Sequence, residues 1–159
     1  MIDQVCLSDA LLEGAKEVFG TMIFMDIEES SEPDQQIEGD ALLGSITFMG
    51  DLEGCMAICC GDSCAKTIAA NMLGMEPDDQ ISRDDINDAI GEVTNMVMGS
   101  VKARLNGTVG NLNVSIPTVV RGQKIENSLG DPENKVSVKV NIEDEYAAEF
   151  LLLYREGSG

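Results

Sequence analysis

Apolar residues recur along the chain at two spacings, and each spacing predicts a different kind of element. Spacings of three and four residues place side chains on one side of a helix, whereas strict alternation places them on one face of a strand. Helical spacing occupies residues 8–22, 63–73 and 82–105. Strand-like sequence occupies residues 21–27, 41–60, 111–122, 135–142 and 145–154. The pattern therefore predicts an α+β protein.

Residues that favour helix ends mark the limits of the predicted helices. Ser8 and Ser82 are predicted to cap the two long helices, and Ser82 with Asp85 resembles a capping box. Gly74 is predicted to close the short helix in a left-handed conformation. The Asn-Gly dipeptide at 106–107 is predicted to end the second long helix.

Turn and loop residues divide the strand-rich parts of the chain. Gly50–Asp51 is predicted to form the turn of a hairpin, and Glu143–Asp144 is predicted to join the last two strands. The polar stretch at 28–40 is predicted to be a loop, and residues 157–159 a disordered tail.

The two long helices carry related sequences. "DALLEGAKEVFG" at residues 9–20 and "DAIGEVTNMVMG" at residues 88–99 share Asp, Ala, Glu, Val and Gly, at an offset of 79 residues. Strand-like sequence and a hairpin follow each of them. We therefore expect an internal repeat, with half-repeats at about 5–60 and 84–154.

The repeat predicts the architecture. Two long helices are expected to pack on a mainly antiparallel β-sheet with pseudo-twofold symmetry. The short helix at 63–73 is extra to the repeat, and residues 1–156 are expected to form a single domain.

Composition and charge narrow the classes of partner. The formal net charge is −19, and both nucleic-acid backbones and anionic membrane surfaces require clustered Lys and Arg, so neither is an expected partner. No apolar run approaches the roughly 18 residues that a membrane-spanning helix needs. The first residues also lack the pattern of a secretory signal. A cytoplasmic protein is therefore expected.

The cysteines offer two interpretations. There are five, with no CxxC pair and no histidine to complete a mixed zinc site: Cys6, Cys55, Cys59, Cys60 and Cys64. On a strand, Cys55 and Cys59 would share one face and Cys60 would face the other way. Small buried apolar residues in a reducing compartment are expected, and a metal or redox site is the alternative.

The second long helix carries a polar stripe opposite its apolar side. Asp88, Glu92, Asn95 and Gly99 recur at steps of four, three and four residues, within roughly a 60° arc. Such a stripe is either a face that meets only water or a surface that contacts a partner.

Two of the residue types in this stripe favour a contact surface. Glycine inside a helix costs about 1 kcal/mol relative to alanine, and asparagine is also a weak helix former. A face that meets only water would more naturally carry Lys, Glu, Gln or Ala. Gly99 leaves room for another backbone to approach closely, and Asn95 offers one acceptor and two donors beside the Glu92 carboxylate.

The spacing of these residues resembles a known signature. Asp88, Glu92 and Asn95 form D-x3-E-x2-N, Gly99 follows, and Pro117 in "SIPTVVRG" lies 22 positions after Asn95. This pattern resembles that of the CheC/CheX/FliY family, bacterial chemotaxis proteins that dephosphorylate the response regulator CheY. The layout with duplicated helices is similar to that family over most of the chain, so the resemblance also implies a CheC-like fold.

The resemblance implies a role for each residue of the pattern. Asn95 would orient the water that attacks the aspartyl phosphate, and Glu92 would pair with the Lys that receiver domains keep at their phosphorylation site. Asp88 and Gly99 would contact the partner, and Pro117 would shape the strand beneath the helix. No cofactor of the protein's own is implied, because the receiver domain holds the Mg²⁺.

The first half of the chain departs from the pattern. It reads Asp9, Glu13 and Lys16, with Lys where the second half has Asn95. CheC-type proteins usually carry Glu and Asn in both halves, whereas CheX-type proteins carry them once. The chain therefore most resembles CheX, with one site expected and no role assigned to Glu13.

An alternative function from another class is a non-catalytic adaptor for a chemotaxis or flagellar-switch partner. A homodimer that pairs edge strands into one continuous sheet is also implied by the resemblance. The sequence leaves open which response regulator is the substrate and which output it controls.

Overall fold

The computed structural model describes residues 4–31, 37, 39–76, 80–107, 109–122 and 134–156. Its elements in chain order are α1 (Gln4–Val18), a π-helical turn (Phe19–Ile23), β1 (Ile27–Glu29), β2 (Ala41–Gly50), β3 (Leu52–Gly61), α2 (Asp62–Leu73), α3 (Arg83–Leu105), β4 (Leu112–Val114), β5 (Thr118–Gly122), β6 (Asn134–Ile142) and β7 (Tyr146–Glu156).

The strands form one antiparallel sheet. Their order is β1-β6-β7-β3-β2-β4, and β5 also pairs with β2. Strands β4 and β5 lie end to end along one side of β2, because β4 pairs with residues 48–50 and β5 with residues 41–45. The predicted α+β class with an antiparallel sheet is therefore confirmed.

The long helices α1 and α3 pack side by side on one face of this sheet. Helix α3 contacts β2 and β3, and α1 contacts β6 and β7. A Cβ atom added to Gly14 of α1 would lie only 3.2 Å from Val101 Cγ2 of α3, so the two helix backbones approach closely there. The aliphatic core between helices and sheet also holds Phe19 and Phe150, whose rings meet edge to face at 6.1 Å.

The cysteines divide between the two faces of the sheet as the alternation predicted. Cys59 belongs to a small buried cluster on the face away from the helices, whereas Cys60 and Cys64 lie in the main core. A hydrogen bond with Cys64 and burial both raise the pKa of the Cys60 thiol well above 9.0. Within the described residues, no three His, Cys, Asp or Glu side chains are grouped to hold a metal ion.

Several predicted element ends are confirmed. Ser82 Oγ accepts a hydrogen bond from Asp85 N at 3.1 Å and so caps α3. Gly74 closes α2 with a φ of 69°. The turns at Gly50–Asp51 and Glu143–Asp144 also occur, and the latter two residues have φ values of 57° and 55°.

The predicted start of the first helix is wrong. Ser8 lies inside α1, which already includes Gln4. Leu7 is fully buried and lies four residues before the equally buried Leu11, so packing against the core extends the helix towards the N-terminus.

The prediction of a strand at residues 21–27 is also largely wrong. The chain continues from α1 into the π-helical turn because Phe19 and Ile23, four residues apart, are both fully buried on the helical side. Phe24 ends this turn in a left-handed conformation, and strand geometry begins only at Ile27.

The strand predicted at residues 111–122 is divided in two. Pro117 lies at the end of the break between β4 and β5, where its missing N–H removes a ladder hydrogen bond. The internal duplication, the pseudo-twofold symmetry and the single-domain limits at 1–156 stay predictions. The predicted tail at 157–159 and most of the predicted loop beyond Ser31 lie outside the described residues.

Candidate functional site

The polar stripe of α3 faces outward. Ile86, Ile90, Val93, Val97 and Val101 are buried against the sheet and the other helices. Asp88, Glu92, Asn95 and Gly99 are all exposed, as their position on the opposite side predicted. The apolar side therefore fixes which way the polar side points.

A close approach between α3 and β2 fixes the rotation of the helix. A Cβ atom added to Gly44 would clash with Thr94 Oγ1 and lie 3.1 Å from Ile90 Cγ2. Thr94 is fully buried, and its hydroxyl donates to the Ile90 carbonyl oxygen at 2.7 Å. Because Thr94 is the residue before Asn95, this contact with the sheet lies directly behind the exposed carboxamide.

The flank of α3 rests against the start of β5. A Cβ atom added to the buried Gly91 would lie 3.6 Å from Val119 Cγ2 and 3.8 Å from Pro117 Cγ. Pro117 is half-buried at this position. Gly91 immediately precedes Glu92 and lies one turn before Asn95, so Pro117 supports the helix beside the stripe.

Gly99 provides open space at the other end of the stripe. Apart from the backbone of α3 itself and the two adjacent residues, no atom of the described residues lies within 4 Å of a Cβ added there. A partner backbone could therefore approach this turn of α3 more closely than a side chain would allow.

The polar side chains of the stripe have no side-chain partners among the residues that the structure describes. Within the described part of the chain, Asp88, Glu92 and Asn95 make no ion pair and no side-chain hydrogen bond. In contrast, the Glu13 carboxylate of α1 lies 4.0 Å from Lys16 Nζ. The Glu92 carboxylate is thus available to an external cation, whereas Glu13 already has a neighbouring positive charge.

The first copy of the pattern also lies on an exposed helix face. Asp9, Glu13, Lys16 and Gly20 are all exposed on α1 and its π-helical extension. The amino group of Lys16 takes the place of a neutral carboxamide there. An ammonium group has three donors and no acceptor, so it cannot accept a hydrogen bond from water as Asn95 can.

The sequence interpretation missed Ile116, an exposed residue in the segment that packs against the flank of α3. It lies between β4 and β5 and directly precedes Pro117, whose ring contacts the flank of α3. The Ile-Pro dipeptide was a signal that this residue is held in an extended conformation, but nothing in the sequence placed this segment against the flank of α3.

A cavity of about 430 Å³ lies in another part of the molecule. It is found where β3 leads into α2, and its lining includes Asp40, Asp62, Cys64 and Tyr146 but no residue of the stripe. Small-molecule sites are usually concave, so the open surface of α3 suits a macromolecular partner better. No helix in the described ranges is long and apolar enough to span a bilayer.

The arrangement as a whole is chemically simple. An uncharged carboxamide and an unpaired carboxylate project from neighbouring turns of one firmly seated helix. The carboxamide can hold a water molecule by hydrogen bonds, and the carboxylate can hold a cation. The surface can therefore dock a charged partner and place one water molecule against it.

The chain resembles known proteins both in sequence and in fold. The profile of a family described as "Chemotaxis phosphatase CheX" matches residues 42–141, which include the whole stripe and Pro117. None of the curated proteins matches the chain.

Solved structures of similar fold cover nearly the whole chain. The chemotaxis protein CheX from Vibrio vulnificus is 23% identical with a TM-score of 0.78, covering 94% of this chain and 99% of that one. CheX in a CheX–CheY–BeF3–Mg²⁺ complex from Borrelia burgdorferi is 19% identical with a TM-score of 0.76, covering 98% and 100%. FliY from Thermotoga maritima is 18% identical with a TM-score of 0.65, covering 92% and 85%.

Proposed function

The chain belongs to the CheX family of chemotaxis proteins, and from that membership we propose that it hydrolyses the aspartyl phosphate of a CheY-like response regulator. The observation that carries this proposal is the outward carboxamide of Asn95 on a helix whose rotation is fixed by Thr94 and Gly44. It lies in the part of the chain that the family profile matches.

In the proposed reaction, water attacks the phosphorus of the acyl phosphate and the bond to the aspartate oxygen breaks. Inorganic phosphate and the free aspartate are the products. Phosphoryl transfer depends mainly on positioning and on charge stabilisation, so a protein that only orients the water can accelerate it. Asn95 orients that water in line with the breaking bond. As a neutral group it adds no repulsion against the phosphoryl oxygens, which a carboxylate would do.

Glu92 has a separate role in the proposal. It forms an ion pair with the Lys at the phosphorylation site of the receiver domain and so fixes α3 in register. Among the described residues it has no ion-pair partner, which supports this role. Asp88 makes an additional polar contact, and Gly99 allows the receiver backbone to approach.

The protein supplies no cofactor in this proposal. The Mg²⁺ that neutralises the phosphoryl oxygens belongs to the phosphorylated receiver domain. Pro117 acts on structure alone, by supporting the flank of α3 at Gly91.

The test is release of phosphate from a CheY-type receiver domain phosphorylated with a small phosphodonor. We expect the parent protein to accelerate release and Asn95→Ala to abolish the acceleration, while binding to the beryllofluoride-activated receiver stays close to that of the parent. Asn113→Ala, which removes another exposed asparagine, is the matched control and should be fully active.

Two results would count against this assignment. Activity of Asn95→Ala within about three-fold of the parent would refute the role of the carboxamide. Binding of the activated receiver by the parent without any phosphate release would instead identify the chain as an adaptor.

We also propose that the protein is cytoplasmic, because its proposed partner is a cytoplasmic signalling protein, and that it forms a homodimer. Among the described strands, β1 pairs only with β6 and β5 only with β2, so each leaves an open edge that a second copy could extend.

An internal duplication is proposed as well. Its support is the strand order, in which β1 beside β6 at one end corresponds to β4 and β5 beside β2 at the other.

A further inference from the structure

The residues of the α3 stripe account for the proposed hydrolysis better than they account for tight binding of a partner. They offer charged and polar groups and one glycine, but no large apolar side chain. Polar contacts replace water contacts, so each contributes only about 0.5–3 kcal/mol net, whereas most binding energy comes from a few desolvated anchor residues. A partner that docks on this stripe should therefore also bury an apolar side chain beside it.

Ile116 is the most exposed large hydrophobic residue in the described part of the chain, with 85% of its surface open to solvent. A single exposed isoleucine is common on protein surfaces and by itself indicates nothing. Two further observations distinguish this one: the way its backbone is held and its position.

The backbone of Ile116 is held on both sides. Ser115 N donates to Thr47 O at 2.9 Å, and Thr47 N donates to Ser115 Oγ at 3.1 Å. The Ser115 hydroxyl in turn donates to the carbonyl oxygen of Ile116 at 3.0 Å. Pro117 then restricts Ile116 to an extended conformation. An apolar side chain is thus displayed on an ordered backbone, so a partner loses little conformational entropy when it buries this side chain.

Ile116 belongs to the segment that packs against the flank of α3. The following residue, Pro117, lies against Gly91, which is adjacent to Glu92 and one turn from Asn95. Val114, two residues earlier, is 41% exposed on the helix side of the sheet, because it pairs with the core residue Phe48. Val114 and Pro117, which lie on either side of Ile116 in the sequence, are therefore both on the helix side of this sheet edge.

We propose that Ile116 is an apolar anchor for the receiver domain and contributes to its affinity together with Glu92, while Asn95 determines the rate. This inference rests on the proposed function, since it assigns the same partner to Ile116. The receiver contributes an apolar patch next to its acidic phosphorylation pocket. Ile116 does not touch the reacting atoms, so its removal raises KM and leaves kcat unchanged.

The experiment compares Ile116→Ser with two other variants. Met49→Ser is the matched control, because Met49 is 64% exposed on the neighbouring strand β2 but on the face away from the helices. Ile116→Leu preserves apolar character. We measure kcat and KM for phosphate release from a phosphorylated CheY-type receiver, and Kd for the same receiver activated with beryllofluoride and Mg²⁺.

We expect Ile116→Ser to raise KM and Kd about ten-fold, the effect of failing to bury one isoleucine side chain. Its kcat should equal that of the parent, and Met49→Ser and Ile116→Leu should behave like the parent. Unfolding of Ile116→Ser by denaturant should match that of the parent, because an exposed side chain contributes little to folding.

The outcomes separate this inference from the proposed function. An active parent with unchanged KM and Kd in Ile116→Ser, or with a lower kcat alone, overturns the anchor role and leaves the phosphatase intact. A parent that binds without hydrolysis, and loses affinity in Ile116→Ser, supports the anchor and overturns the phosphatase. A parent that neither binds nor hydrolyses overturns both.

Discussion

At the scale of single residues, a comparison of Glu92 with Glu13 can test whether the exposed Glu92 carboxylate binds the partner. Both lie at equivalent positions of helices with related sequences, but within the described ranges only Glu13 has a basic neighbour within 4.0 Å. An unpaired carboxylate on an open surface gains an attractive interaction only when a partner brings a cation to it.

We therefore predict that Glu92→Ala weakens binding of the phosphorylated response regulator, by about ten-fold, because a charge-assisted hydrogen bond contributes about 1.5–3 kcal/mol. Titration of the beryllofluoride-activated receiver measures this affinity at fixed ionic strength. Glu13→Ala is the matched control and should bind like the parent. Equal affinities for the parent and Glu92→Ala would contradict the ion pair.

Residue types and spacings in the sequence were enough to predict the stripe, but not what holds it. Asp88, Glu92 and Asn95 could be placed together because one helical period relates them. The contact of Gly44 with Thr94 joins residues fifty positions apart, and neither residue type has a local pattern that predicts it. Ile116 was missed for the same reason, since exposure beside another element depends on tertiary packing.

At the scale of elements, local signals predicted the helices where packing agreed with them. Helix α3 was predicted from end to end because Ser82, the apolar period and the Asn-Gly stop all agree. Residues 21–27 were misread because their β-branched and aromatic residues favour strands, while burial of Phe19 and Ile23 kept the chain helical. Propensity is a weak preference that tertiary packing can reverse.

The close packing of α3 on β2 gives a prediction at the scale of elements. Gly44→Ala places a methyl group against Thr94 Oγ1 and pushes the helix away from the sheet. We expect a loss of about 1–3 kcal/mol in the free energy of unfolding, together with a lower kcat, because Asn95 moves with the helix. Denaturant titration and phosphate release measure the two effects.

Gly61→Ala is the matched control for this substitution. A Cβ atom there would lie 3.7 Å from Ile37 Cγ2, an ordinary contact, so stability should change by no more than about 0.5 kcal/mol. If Gly44→Ala matched Gly61→Ala in both stability and kcat, the sheet contact would not be what positions Asn95.

At the scale of the whole molecule, charge and open sheet edges act in opposite directions. The net charge of −19 makes two copies repel each other, whereas the edges of β1 and β5 favour pairing. Salt screens repulsion between exposed charges with a Debye length of about 30 Å at 0.01 M and about 10 Å at 0.1 M.

We predict that the proposed homodimer becomes more populated as salt concentration rises. Sedimentation velocity at a fixed protein concentration, from about 0.01 M to about 0.5 M sodium chloride, measures the dimer fraction. A monomer at every salt concentration would reject the dimer. A dimer fraction that falls with salt would show that attraction between opposite charges, not strand pairing, holds the copies together.

The strand order also has a consequence for folding of the chain during its synthesis on the ribosome. Strand β1 finds its neighbour only in β6, more than a hundred residues later, and β3 finds one of its two neighbours only in β7. The segment that emerges first therefore leaves the tunnel with an incomplete sheet, and final pairing has to wait until synthesis is almost finished. Such distant pairings slow folding, so a nascent chain of this topology would depend on chaperones that shield unpaired strands until the last hairpin arrives.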